Sequence, residues 1–261
     1  MKIALMDSGI GLLAAAAAVR RLRPDADLVL SSDPDGMPWG PRTPASLTER
    51  ALIVARAAAE QKPDALIVAC NTASVHALDT LREELEPEIP VIGTVPAIKP
   101  AAARGGKVAI WATPATTGSP YQRGLIREFA GGVEVTEVPC PGLADAVQWA
   151  DEAAVARCVA AAAALTPADV TDVVLGCTHY ELVSDAIRSA LDARPGGVPY
   201  TFHGSADAVA AQALRRLGAT PAPAAPRTGT LTVLLTTRPS PLPEEARTYP
   251  EGRTLLSPTT V

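Results

Sequence analysis

Aromatic side chains are scarce in this sequence, at 3% of 261 residues. That disfavours the stacking platforms with which RRM-like and OB-like surfaces read bases. Clustered basic charge is missing too. The net charge is −5, the wrong sign for tracking phosphates, so no nucleic-acid partner is expected. The three histidines and four cysteines (positions 70, 140, 158 and 177) show no CxxC or other metal-ligand spacing, and no metal is expected. Nor do the cysteines have the density of a disulfide framework, so reduced thiols in a cytoplasmic protein are the expectation. Long apolar runs are absent as well. The alanine-rich stretches near 14–19 and 153–165 are too short or too interrupted to span a bilayer, which leaves no membrane partner. The opening MKIALMDSG turns polar at Asp7 and reads as a buried strand, not a leader.

What is present is an ordinary globular composition, 48% apolar and 20% charged, enough for one large or two small α/β domains. Short apolar runs alternate with helical patterns. Strands are predicted at 2–6, 27–33, 65–70 and 91–95, with helices over 11–22, 44–61 and 75–85. Ser46 and Glu49 have the spacing of a capping box. A second series follows, with strands at 107–113, 133–138 and 172–177 and helices at 119–130, 151–165 and 181–193. Continuous apolar strands between helices imply mainly parallel sheets covered on both faces. The Pro/Ala-rich stretch 218–229 reads as a loose connection, and 230–237 as a strand returning to the first half.

The two series echo each other. ALIVACNTAS and DVVLGCTHYE each run from an apolar strand to a cysteine, then to Thr within two residues, then to a helix. Ligands of open α/β sheets sit beyond the carboxyl ends of strands, where helix amides point. Cys70 and Cys177 both occupy that position. Either alone reads as a small buried hydrophobe. Their polar neighbours, Asn71 and Thr72 beside one and Thr178 and His179 beside the other, do not fit a core. Amides and hydroxyls at such a turn can hold a carboxylate, and a helix N-terminus favours the thiolate. Asp7 and Ser8 follow the first strand directly. Asp7 reads either as a cap for the helix beginning near Gly9 or as a group that orients a proton near Cys70. The GxG of Gly9 and Gly11 is too short for a dinucleotide site. His76 falls on the outer side of the helix after Cys70, and His203 in a loop.

DSGIG (7–11), PWGPR (38–42), CNTAS (70–74), GTVPAIKP (93–100), ATPATTGSPY (112–121), CPGL (140–143) and GCTHYEL (176–182) come in order. The set resembles the glutamate racemase family of the aspartate/glutamate racemase superfamily, from residue 3 to about residue 210, with a weaker echo at LLTT (234–237). The resemblance implies two pseudo-symmetric α/β domains with the active site in the cleft between them. The first would take residues 1–95 plus 205–261, the second 96–204. It implies an isomerase that interconverts L- and D-glutamate with two opposed cysteines, Cys70 and Cys177, and without cofactor. One thiolate removes the α-proton and the other thiol supplies one from the far side. Asp7 would assist Cys70, and His179 would assist Cys177. Ser8, Trp39, Gly40, Asn71, Thr72, Thr113, Thr116 and Thr178 would hold the amino acid. The product would feed peptidoglycan synthesis, and a homodimer is compatible with the family.

The sequence departs from the family pattern in several places. Gln148 stands where a glutamate is usual, Trp39 where Tyr is usual, and Leu12 where a second glycine is usual; Gly142 and Asp145 replace apolar residues. Gln cannot carry a proton or raise the basicity of His179. The departures leave open a racemase for aspartate or another amino acid, and a non-catalytic regulatory homologue such as a gyrase-binding protein.

Overall fold

A computed structural model describes residues 1–256 of the chain. Two compact units are present: Met1–Val95 with the chain from Ala206 on, and Pro96–Ser205. The last five positions of the expected 205–261 segment, 257–261, lie outside the described residues.

Six strands form the sheet of unit 1: β1 (Lys2–Asp7), β2 (Asp27–Ser32), β3 (Ala65–Val68), β4 (Val91–Gly93), β9 (Leu231–Leu235) and β10 (Arg238–Pro239). Their order is β10-β9-β2-β1-β3-β4, and only the β9–β10 pair is antiparallel. The helices of this unit are α1 (Leu13–Leu22), α2 (Pro44–Ala59), α3 (Asn71–His76), α4 (Leu78–Leu85), α11 (Ala206–Arg216), α12 (Glu244–Thr248) and α13 (Pro250–Leu256). Alternate strand residues serve opposite faces. Ala4, Met6, Leu66 and Val68 join Leu47, Val54 and Leu81 of α2 and α4 in one apolar cluster. α11 packs on β3, β4 and α1. Both faces are thus covered, which is why the strands read as unbroken apolar runs.

Unit 2 repeats the plan with β5 (Val108–Ala112), β6 (Val135–Pro139), β7 (Asp172–Leu175) and β8 (Thr201–His203), all parallel, in the order β6-β5-β7-β8. Its helices are α5 (Ile98–Ala102), α6 (Pro120–Phe129), α7 (Leu143–Gln148), α8 (Glu152–Leu165), α9 (Thr178–Glu181) and α10 (Ser184–Asp192). The order β2-β1-β3-β4 in unit 1 corresponds strand for strand to β6-β5-β7-β8. The echo seen in the sequence is therefore a repeated parallel motif, and the chain has the expected α/β architecture.

Several local expectations are corrected. Thr43, not Ser46, caps α2: its Oγ1 accepts from the Ser46 amide at 3.3 Å, and Pro44 at the first helical position needs no amide partner. The helix expected over 75–85 is two, α3 and α4, which meet at Ala77. The one expected over 181–193 is likewise α9 and α10. In both places the helix starts directly after the cysteine, because the strand turns straight into helical winding. His203 lies in β8, not in a loop, and its Nε2 is 2.7 Å from Oδ1 of buried Asp172.

Candidate active site

In unit 1 the carboxyl edge of the sheet collects the polar residues. β1 and β3 run side by side with Met6 opposite Val68, and the Ala69 amide donates to the Met6 carbonyl at 2.8 Å. Asp7 and Cys70 therefore leave neighbouring strands at the same edge. Cys70 is the N-cap of α3, with φ −143° and ψ 118°, and its carbonyl accepts from the Ser74 amide at 2.9 Å. Its thiol is buried. Asp7 is fully buried, and its Oδ1 accepts from the Ser8 amide at 2.7 Å. It does not cap the following helical turn, whose N-cap is Gly9 with no side-chain cap. Asn71 is buried and Thr72 half-buried on the first turn of α3.

The Trp39 side chain is buried. Its ring lies in the core of unit 1, and Nε1 donates to Oδ2 of Asp33 at 2.9 Å. Gly40, the next residue, is half-buried. Asp33, which sequence reasoning missed, is a hub. It follows β2, its amide donates to the Ser8 carbonyl at 3.1 Å, and its fully buried carboxylate accepts from Arg50 Nε at 2.8 Å and Thr236 Oγ1 at 3.1 Å. A second contact joins Arg50 Nη2 to Asp33 Oδ1. Burial acts to raise the carboxyl's pKa. The hydrogen bonds from Arg50, Trp39 and Thr236, with the charge of Arg50, outweigh it and hold the group below the ordinary carboxylate range. Its position directly after a strand in an open α/β sheet was the available signal.

The carboxyl edge of unit 2 is the counterpart. Cys177 caps α9 with φ −135° and ψ 134°, close to the values at Cys70, and its carbonyl accepts from the Tyr180 amide at 3.0 Å. The preceding Gly176 lies so close to β5 that a Cβ there would fall 2.8 Å from the Trp111 carbonyl oxygen. Only glycine lets the strand deliver Cys177 at this point. His179 is buried, with Nδ1 3.9 Å from Cys177 Sγ and Nε2 3.2 Å from Gln148 Oε1. A carboxamide oxygen only accepts, so a neutral ring that donates from Nε2 would present its Nδ1 lone pair to the thiol. That arrangement lets His179 take the Cys177 proton or return it. Thr178 is buried beside them. Thr113 follows β5, and its Oγ1 is 3.3 Å from that of Thr116 within one turn.

A third thiol, Cys140, follows β6 and is buried, which together with nearby Cys177 pushes its pKa up to about 12. It stays protonated at neutral pH and is inert beside Cys177. All four cysteines are thiols. The carboxyl edge of each sheet thus carries its own residues: Asp7, Ser8, Cys70, Asn71 and Thr72 in one, Thr113, Thr116, Cys177, Thr178 and His179 in the other, with Gly40 in the loop after β2. Among the described residues no cluster of His, Cys, Asp or Glu has the form of a metal site, and no helix is long and apolar enough to cross a membrane.

Known proteins share this architecture. The family described as Asp/Glu/Hydantoin racemase matches residues 11–213. A glutamate racemase of Pseudomonas putida is 36% identical over 222 residues, which cover 83% of this chain and 82% of that protein. The solved structure of Escherichia coli glutamate racemase, in complex with L-glutamate and the activator UDP-MurNAc-ala, is similar with a TM-score of 0.76 at 26% identity, covering 98% of this chain and 92% of that one. The Thermus thermophilus glutamate racemase, in complex with β-chloro-D-alanine, gives a TM-score of 0.68 at 30% identity over 97% of this chain and 92% of that one.

Proposed function

The chain belongs to the Asp/Glu/Hydantoin racemase family, and from that premise we propose that it interconverts L- and D-glutamate by a two-thiol mechanism without a cofactor. It is an isomerase of the amino-acid racemase class. The observation that carries the mechanism is the like placement of Cys70 and Cys177. Each caps the helix after the third strand of a repeated four-strand parallel motif, with matching backbone angles. Inversion at carbon needs a base on one face and an acid on the other, and two thiols can exchange those roles when the opposite enantiomer is consumed. For one enantiomer a thiolate takes the α-proton, and the second thiol delivers its own proton to the carbanion. For the other the direction reverses.

The auxiliaries are unlike. Asp7, a buried carboxylate, serves Cys70; His179, whose Nδ1 faces Sγ, serves Cys177. Ser8, the backbone of Trp39 and Gly40, Asn71, Thr72, Thr113, Thr116 and Thr178 supply hydroxyls and amides for the ammonium and the carboxylates. The α-proton is very weakly acidic, so positioning and oriented hydrogen bonds must lower much of the barrier. The D-glutamate formed would serve peptidoglycan synthesis.

The test is circular dichroism of purified protein with L- or D-glutamate and no added cofactor, beside Cys70→Ala and Cys177→Ala variants. Loss of optical signal from either enantiomer, abolished in each variant, is the expected result. Turnover that survives either substitution would overturn the two-thiol reading. Aspartate and other amino acids are assayed in parallel; activity on one of these and none on glutamate keeps the reaction and replaces the substrate.

A further inference from the structure

A cavity of about 390 Å³ opens in unit 1 at the amino edge of the sheet, the edge opposite Cys70. The chain leading into β9, the segment after β10, and helices α12 and α13 form its walls. Arg20, from the last turn of α1, meets Arg227 and Arg247 there, and no acidic residue lines the cavity among the described residues.

Arg20 is only 3% exposed. Its Nη1 donates to the carbonyls of Pro24 and Ala26 at 3.0 and 2.7 Å, and Nη2 to that of Thr230 at 2.9 Å. Its buried Nε has no acceptor among the described residues. Arg227 Nη2 donates to the Thr254 carbonyl, and Arg247 Nε to that of Leu242 at 2.9 Å. All three guanidinium groups are thus held by carbonyls, which fix their position and leave their charge in place. Burial, and after it the charge of Arg227, lower the Arg20 pKa, against Asp27 and Asp25, which are themselves bound by Thr230 and Arg23. Concentrated, preoriented guanidinium charge beside an apolar wall matches a planar or tetrahedral oxyanion with an organic body.

We propose that this cavity binds a small organic oxyanion, a carboxylate or a phosphate monoester, through Arg20, Arg227 and Arg247, with its apolar part against Leu231, Val233 and Leu242. The site is separate from the racemase reading and does not depend on it.

Titration calorimetry at fixed ionic strength, with benzoate and phenyl phosphate as probes, tests the site. Saturable binding of either is expected, and the probe that binds identifies the headgroup. Arg227→Gln and Arg247→Gln should each weaken it about tenfold, equivalent to about 1.4 kcal/mol. Arg20 is left intact because its carbonyl contacts support the fold. Thermal unfolding without ligand serves as the check that both variants are folded. Absence of saturable binding by either probe, or binding of equal strength in folded variants, would overturn the proposal.

Discussion

At the scale of single residues, the proposed mechanism gives the two cysteines chemically different supports, and Gln148 is where that difference can be tested. The Gln148 amide oxygen lies 3.2 Å from Nε2 of the His179 ring and adds no charge. Gln148→Glu would put a carboxylate against Nε2 and stabilise the imidazolium. The expected result is a shift of the His179-dependent limb of the kcat profile to higher pH, by about 1 unit or more. Thermal stability should change little. A profile that does not move would show that His179 takes no part in proton transfer. Asp33 makes a second, unrelated prediction. Its folded pKa lies below the unfolded one, so the stability it confers is present above about pH 4 and is lost as pH falls through the folded value. Asp33→Asn should cost about 2 to 4 kcal/mol at neutral pH, less than a wholly buried pair because Arg50 is partly exposed. The gap in unfolding midpoint between wild type and variant should narrow towards pH 3. A gap of constant size would mean that the carboxylate charge is not what stabilises the loop.

At the scale of elements, the hairpin between β9 and β10 shows strain held by a contact. Its two connecting residues, Thr236 and Thr237, have φ of 40° and 71°, a region that β-branched residues avoid. Thr236 stays there because its hydroxyl donates to Asp33 and accepts from the Asp35 amide, both at 3.1 Å. Thr237 is exposed, and its side chain makes no such bond among the described residues. Thr237→Gly should therefore stabilise the protein by about 0.5 to 1 kcal/mol in thermal unfolding. Thr236→Gly should fail to, since it gives up the hydroxyl. Equal gains at both positions would remove the hydroxyl from the explanation. Elements whose signal is local were the most legible in the sequence. The strands were legible because apolar runs such as IALM and ALIV are bounded by polar turns. The starts of α3 and α9 were not, because Asn71 and Thr178 are turn-forming types that the fold winds directly into helix. β8 is a short, half-buried strand with little pattern to read. The position of Cys70 and Cys177 beyond strand ends, and of Asp7 at one, was legible for the same local reason. Asp33 was not, because its role comes from partners as distant in sequence as Thr236, which only folding brings to it.

At the scale of the whole molecule, one parallel motif occurs twice, and in the proposed mechanism each copy supplies one reacting thiol, supported in one case by a carboxylate and in the other by a histidine. Unequal supports allow kcat and KM to differ between the two directions. The enantiomers have equal free energy in water, so kcat/KM must be the same for both. Kinetic constants alone therefore cannot reveal which thiol meets which enantiomer, but the origin of the transferred hydrogen tests whether two thiols act. A thiol carries a single exchangeable proton. If one thiolate takes the α-hydrogen while the other thiol delivers its own, early turnover in deuterium oxide gives deuterated product. The unreacted substrate keeps its original hydrogen, because the base that removed it can return only that one before exchange with solvent. Mass spectrometry of the separated enantiomers should show this pattern from L-glutamate and from D-glutamate alike. A single shared base would mix the labels, and equal early deuterium content in substrate and product would rule out two separate thiols acting in turn.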